Sequence, residues 1–316
     1  MATYDETINT DMKIYDLESQ TSYLERIQDV IDVFNALSRG TINFRSEAIP
    51  GDFKKDAFYK IAGSVSHRDV NSQADVGYTN ISADEMVGVK SPWSYGPYAS
   101  TDEAFKRRAR SVAEFYQLCG QDMADAVMKY WLECALASLE GAINTSKTLV
   151  VPADLTTYGK KVFTAGLRPF GDRADRIALW VMNSSLFFDV IDEALDGERT
   201  EEIGTVIYGG SPGTLGRPVL VTDVASDDTI LGLQAGAISV IESQAPGVRS
   251  YQINDRTNLA MGFRGEGVFN IEVLGFSYSG SANPNKTSLG TSDNWTQYAT
   301  DDKNCAGVLI DTTETS

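Results

Sequence analysis

His67 is the only histidine in the 316-residue chain, so any Ser-His-Asp or Cys-His mechanism has to run through it. Residues 209–213 read Gly-Gly-Ser-Pro-Gly, the pattern that places a nucleophilic serine on a strand-to-helix turn, here Ser211. The chemistry needs a helix directly after that serine and a histidine downstream of it. Pro212, Gly213, Gly216 and Pro218 deny the helix, and His67 lies upstream, so Ser211 reads as a turn between strands. The same glycine-rich stretch has no Lys-Ser/Thr after it and is not a phosphate loop. Asp223, Asp227 and Asp228 lack the alternating spacing and closing glutamate of a calcium loop. Cys119, Cys134 and Cys305 are too dispersed for a zinc set and read as small buried hydrophobes. Glu201 and Glu202 are adjacent carboxylates on an acidic chain, poor evidence for acid-base work. No catalytic residue, cofactor site or metal site is predicted, and the chain is not expected to be an enzyme.

The elements carry more information than these residues do. Phe105, Ala109, Val112, Tyr116, Cys119, Met123, Val127, Tyr130, Cys134 and Ala137 recur every three or four positions, predicting one helix over residues 100–143. At about 1.5 Å per residue it would run on the order of 65 Å. Ser100 and Glu103 supply a capping box, and Gly120 predicts a bend. A second capping box, Ser22 and Glu25, opens an amphipathic helix with Leu24, Ile27, Ile31, Phe34 and Leu37 on one stripe, stopping at Gly40. Between the two helices, residues 41–99 are polar and rich in turn residues, with strand-like runs at 58–61 and 86–89, and read as a long two-stranded excursion. After the long helix come a strand at 176–182, a helix capped by Asn183 and Ser184, and strands at 204–208, 218–222, 237–242 and 268–276. The tail from Gly280 is rich in Ser, Thr, Asn and Asp, carries one strand at 306–310, and is expected to gain order through contacts. The fold class is α+β.

Composition narrows the partners. A formal net charge of −17 opposes nucleic acid or an anionic membrane as the partner of the whole surface. Lys106, Arg107, Arg108 and Arg110 form a local basic cluster at the start of the long helix, where the helix dipole disfavours them. No window is apolar enough to span a membrane, and the N-terminus, with Asp5, Glu6 and Asp11, is not a secretory signal, so a soluble protein made in the cytoplasm is expected.

The order of elements, an N-terminal amphipathic arm, a long β excursion, a very long helix, an α+β middle with the strand Gly-Arg-Pro-Val-Leu-Val-Thr-Asp at 216–223, and a β-rich return, resembles the major capsid protein of tailed bacteriophages, the Hong Kong 97-type fold. The resemblance covers residues 17–310. It implies an N-terminal arm at 1–40, an extended loop at 41–99, a peripheral domain with spine helix at 100–150, an axial domain at 151–253, and a return to the peripheral domain with the C-terminal tail at 254–316. It implies a homo-oligomer of pentamers and hexamers in an icosahedral head, synthesised in a bacterial host and resident in the virion. Double-stranded DNA would be contacted non-specifically, and portal, scaffolding and optional decoration proteins would be partners. The chain begins close to the arm, which points to a separate scaffolding protein. Subunit contacts are expected at Lys54, Lys55, Tyr59, Arg68, Trp93 and Tyr95 of the loop and at Arg107, Arg108 and Arg110, because aromatic and arginine side chains tend to anchor interfaces. The alternatives are an encapsulin-like nanocompartment shell, and a glycan-binding phage structural protein suggested by Trp93 and Trp295.

Overall fold

Tyr130 and Trp131 of a long helix lie against Phe269 of a β-sheet with ring centroids 6.0 and 5.9 Å apart, and this contact marks the centre of the molecule. The computed structural model describes residues 8–60, 81–108, 112–159, 161–197, 217–254 and 257–313, with isolated positions between 65 and 78. Along the chain run α1 (Ile8–Leu37), β1 (Ile42–Ser46), β2 (Phe53–Lys60), β3 (Ser82–Thr101), α2 (Asp102–Arg108), α3 (Val112–Asn144) and β4 (Val150–Pro152). Next come α4 (Leu155–Tyr158), α5 (Lys161–Leu167), β5 (Ile177–Met182), α6 (Ser184–Gly197), β6 (Val219–Val221) and β7 (Thr229–Gln234). Then follow β8 (Ile238–Ile253), β9 (Ala260–Val273), β10 (Phe276–Tyr278), α7 (Lys286–Leu289), β11 (Trp295–Gln297) and β12 (Gly307–Asp311).

Seven strands make the larger sheet. β9 pairs antiparallel with β8 on one side and β3 on the other, β1 runs parallel beside β8, β2 pairs with the first part of β3, and β10 and β11 complete it. The smaller sheet has the order β4-β12-β7-β5-β6. β5, Ile-Ala-Leu-Trp-Val-Met, is buried on both faces, and its Trp180 meets Phe163 of α5 at 5.1 Å. That near-continuous apolar run is what a strand covered on both sides requires. The buried side chains of both sheets and of α1, α3 and α5 join in one hydrophobic cluster.

Several local expectations change. The helical region does not begin at Ser100: Ser100 and Thr101 belong to β3, and α2 opens at Asp102. Ser100 still pairs with Met261 in the sheet, and the hydroxyl of Thr101, not Ser100, accepts from the amide of Ala104 at 3.4 Å. Residues 109–111, between α2 and α3, lie outside the described residues. The helix α3 continues through Gly120. A Cβ there would sit 2.5 Å from the carbonyl oxygen of Ser19, so this glycine lets α1 approach α3. Ser22 is no cap either: it lies inside α1, and its hydroxyl donates to the carbonyl of Gln117 at 3.2 Å. The face of α1 that packs inward carries Ser19, Tyr23 and Ile27, while Leu24 and Leu37 of the expected stripe are 38% and 71% exposed.

The excursion at 41–99 is partly core. Ile42, Phe44 and Val89 are buried, and the second half of β3 is a long central strand paired with β9 from Val89 to Thr101. The sheets also divide the chain differently from a boundary at 253. β8 belongs to the larger sheet with β9, and the chain leaves the smaller sheet after β7 through Gly236, whose φ of +72° suits glycine. β12 returns to the smaller sheet between β4 and β7, so the segment 254–316 serves both. The tail after Gly280 packs closely: Trp295 is buried, its indole donates to the carbonyl of Leu289 at 2.8 Å, and Gly141 of α3 makes room for that turn. The expected strand at 204–208 and Ser211 lie outside the described residues.

Gly120→Ala tests the helix contact. In an exposed helix interior this change stabilises by about 1 kcal/mol. Here the added methyl has to push the Ser19 backbone away, and a loss of about 1–3 kcal/mol is expected in urea unfolding.

Candidate assembly surface

The hairpin of β2 and β3 is built by register and by charge. Phe53 to Lys60 pair in order with Val89 to Ser82. Lys55 meets Glu85 at 2.9 Å and Lys60 meets Asp84 at 3.7 Å, both across the ladder, while Lys54 reaches Glu272 of β9 at 3.0 Å. The exposed pairs contribute only about 0–1 kcal/mol each, so they set register more than stability. Lys54 is the better-held group. Its partial burial opposes the charge, but Glu272, Asp56 and Glu47 outweigh that, and its pKa rises. Beside the hairpin, Ser277 of β10 donates its hydroxyl to the carbonyl of Glu85 at 2.7 Å and accepts from the amide of Val87 at 3.2 Å. Phe58 adds a ring contact with Tyr298 at 5.1 Å. Tyr59 is 77% exposed, and among the described residues the other edge of β2 has no strand beside it.

The far side of the larger sheet treats its edge differently. The side-chain amide of Asn35 on α1 donates to the carbonyl of Phe44 at 2.9 Å and accepts from its amide at 3.0 Å. The open edge of β1 is thereby closed by a side chain, a standard protection against adventitious strand pairing. β2 has no such cover among the described residues.

Of the contact residues expected from sequence, Lys54, Lys55 and Tyr59 do share this hairpin. Arg68 is exposed, as is His67 beside it. Trp93 and Tyr95 are a correction: they are 8% and 9% exposed and face α3 inside the protomer. A Cβ on Gly267 would lie 2.6 Å from the Trp93 ring, so the indole rests on that glycine across the ladder. The Tyr95 hydroxyl donates to Asp122 at 2.5 Å, and burial together with that carboxylate drives its pKa up. Large aromatics anchor interfaces, but they fill cores just as well, and glycines on a neighbouring strand were the signal for the second role. Trp295 is buried too, which removes the aromatic platform that suggested glycan binding. Arg107 pairs with Glu103 one turn back at 3.1 Å, exposed on both sides. Arg108 lies in α2, with a side chain outside the described set, and Arg110 lies outside the described residues.

Chemistry is sparse. Among the described residues no group of three or more His, Cys, Asp or Glu side chains gathers as a metal site. Asp223 instead accepts from the hydroxyl of Ser184 at 2.5 Å, beside the Asn183 cap that receives the amide of Ser185 at 3.0 Å. The three thiols are buried and pushed up, Cys119 and Cys134 to about 11 and Cys305 to about 12, which keeps them protonated and inert. No helix among the described residues is long and apolar enough to cross a membrane.

What sequence reading missed is the seam that holds α1. Ser19 donates to the carbonyl of Tyr116 at 3.0 Å, Arg26 forks onto Asp125 at 3.0 and 3.4 Å, and the Tyr23 hydroxyl donates to Glu242 of β8 at 3.1 Å. Glu242 is 7% exposed. Burial raises its pKa, and the hydrogen bonds from Tyr23 and Ser46 only partly offset that.

A long helix packed on one face of a sheet whose β2–β3 hairpin has an open outer edge among the described residues, joined to a smaller mixed sheet, is the layout of shell-forming capsid subunits with the Hong Kong 97-type fold. Solved structures agree at the level of fold. The capsid structure of the cyanophage P-SCSP1u is similar with a TM-score of 0.53 at 9% identity, over 74% of this chain and 84% of that one. A structure from Microbacterium phage Oxtober96 gives 0.52 at 12%, over 85% and 88%, and one from Mycobacterium phage Adephagia gives 0.51 at 8%, over 86% and 88%. The chain belongs to the major capsid protein 13-like family, whose model matches residues 11–309, and is a major capsid protein of a tailed-phage head. No curated protein matches it in sequence.

Glu242 gives a pH prediction with a definite sign. A carboxyl whose folded pKa lies above its usual 4.5 contributes stability fully below that value and loses it as pH rises through the folded value. Unfolding of the unassembled chain in urea should therefore show wild-type stability falling from pH 4 towards 8 more steeply than in Glu242→Gln.

Proposed function

We propose that the protein builds the head as rings of five and six copies closed into an icosahedral shell around double-stranded DNA, with no catalytic activity of its own. The observation that carries this reading is the β2–β3 hairpin, an antiparallel pair whose outer edge has no strand beside it among the described residues. A two-stranded ribbon is marginal in water alone. An adjoining copy is the natural support, and one contact repeated by rotation closes into rings. In this reading α1 is the N-terminal arm, the hairpin is the extended loop with Lys54, Lys55, Tyr59 and Arg68 at or near the contact, α3 is the spine helix of the peripheral domain, and the smaller sheet is the axial domain. Arg107, Arg108 and Arg110 remain contact candidates at the start of the helical region, where the exposed Arg107–Glu103 pair is weak enough to exchange partners. Scaffolding and portal proteins would guide closure, and the packaged DNA would meet a wall whose summed negative charge discourages adhesion.

Expression of the full chain with a scaffolding protein supplied should give rings or closed shells in electron micrographs. A strictly monomeric species in sedimentation at physiological salt, under the same supply, would refute the proposal.

A further inference from the structure

Arg249 of β8 stands directly opposite Arg264 of β9 in the antiparallel ladder. Side chains directly opposite share a face and lie close enough to repel, so two arginines in this register destabilise the pair of strands. The chain carries 44 acidic residues against 27 basic ones, yet among the described residues Arg249 has no acidic partner. Arg264 has only Glu266, at 3.8 Å with both side chains more than half exposed. The protomer thus leaves a cationic pair under-compensated on an acidic surface.

The face is also fixed. A Cβ on Gly265 would press on the Met123 sulfur of α3, so Gly265 faces the helix, and its neighbours Arg264 and Glu266 face the other way. α1 and α3 cover the helix side of the sheet. On the opposite side, next to the arginine pair, the register of β8 and β9 shifts between Glu242 and Gly247. A groove of about 550 Å³ opens there, with Pro92, Ser94, Gln244, Gly247, Glu266 and Val268 along it.

We propose that this outer face, from the β8 bulge to Arg249 and Arg264, is a docking surface for a carboxylate-bearing segment of a second copy of this chain. The inference rests on the shell reading and assigns it a receptor. Charge selects the occupant: with a net charge of −17, a second copy brings carboxylates to almost any contact, and the two guanidiniums offer forked donors that carboxylates match. The repulsion stored between them in the isolated protomer is relieved on docking, so the contact favours the assembled state specifically.

Arg249→Glu separates this role from that of a solvated surface, because it turns a like-charged cross-strand pair into an oppositely charged one. The unassembled full chain should melt no lower than wild type, while the yield of rings and shells in sedimentation falls by about tenfold, with Arg249→Gln intermediate. Two outcomes would overturn the inference. One is a shell yield equal to wild type in Arg249→Glu. The other is normal shell yield with reduced retention of DNA, which would make nucleic acid the anion. If the wild-type chain itself forms no assembled species, the shell reading fails instead, so the two failures are distinguishable.

Discussion

Burial of one face of the β3-β9-β8 triplet under α3 is the constraint on which the rest depends. Tyr116, Met123, Val127, Trp131 and Leu139 of that helix are almost wholly buried, and Phe44, Phe263 and Phe269 bring their rings against Tyr116 and Trp131 from the strands. Each such side chain contributes about 1.5–3 kcal/mol relative to exposure, which is the main return for ordering strands as long as β3 and β8. Close packing at this face needs glycine on β9: Gly265 under Met123 and Gly267 under Trp93 let large side chains cross the strand. α1 is then added over the same side by a different device, a seam of small and polar groups from Ser19 to Tyr23 that closes on Gly120. The hydroxyl-to-carbonyl bonds add direction to the burial of Tyr23 and Ile27, with Val30, Ile31 and Phe34 packed against the same core.

The chain ties the two sheets together at several crossings. β7 passes directly into β8 through Gly236, whose amide donates to the carbonyl of Gly40 at 2.7 Å, and the chain comes back at Ala306, whose amide donates to the carbonyl of Leu274 at 2.8 Å. One residue on, Gly307 pairs with Leu233 in the smaller sheet. Glu140 adds a tie, accepting from the hydroxyl of Thr229 at 3.1 Å near the C-terminal end of α3. Burial raises the pKa of Glu140, and the negative end of the helix dipole acts in the same direction. The Glu140–Thr229 hydrogen bond joins the end of the long helix to β7 of the smaller sheet.

Sequence periodicity was legible where one strong rule acted alone. β5 and the Asn183 cap of α6 follow from an apolar run and a capping side chain, and the α+β class follows from element order. It was misleading where local and tertiary signals shared residues. Ser100 and Glu103 have capping-box spacing, but pairing of Ser100 with Met261 keeps the strand going past it. Gly120 carries the propensity of a helix breaker, and only a partner helix 97 residues away, bonded through Ser19 to Tyr116, explains why the helix continues. β7 was missed because Thr-Ile-Leu-Gly-Leu-Gln has no alternation, being buried on both faces. Trp93 and Tyr95 were read as contact anchors because residue type cannot tell an interface from a core; their spacing of two, on a strand facing glycines, was the distinguishing sign. Lys54, Lys55 and Tyr59 do lie together on β2, inside the segment that its turn residues and short strand-like runs marked as a two-stranded excursion.

Acidic copies that must assemble face a net repulsion, and the structure reduces it at short range rather than by total charge. Charges beyond about 8 Å of one another are screened at physiological ionic strength, so association is decided by groups that come within a few ångströms. Inside the protomer, burial raises the pKa of Glu242 and of the part-buried Glu140, so desolvation works against the charge of both near the helix seam. On the hairpin, lysines and carboxylates alternate across the ladder and cancel locally. The unbalanced cations lie on the outer face, at Arg249 and Arg264, where the acidic partner among the described residues is Glu266, 3.8 Å from Arg264. A chain with 17 surplus negative charges could neutralise that pair with a single inward substitution, and a cross-strand Arg–Arg register is the costly choice for an isolated protomer. The cost has a physical rationale only if the free subunit is not the state in which this face does its work.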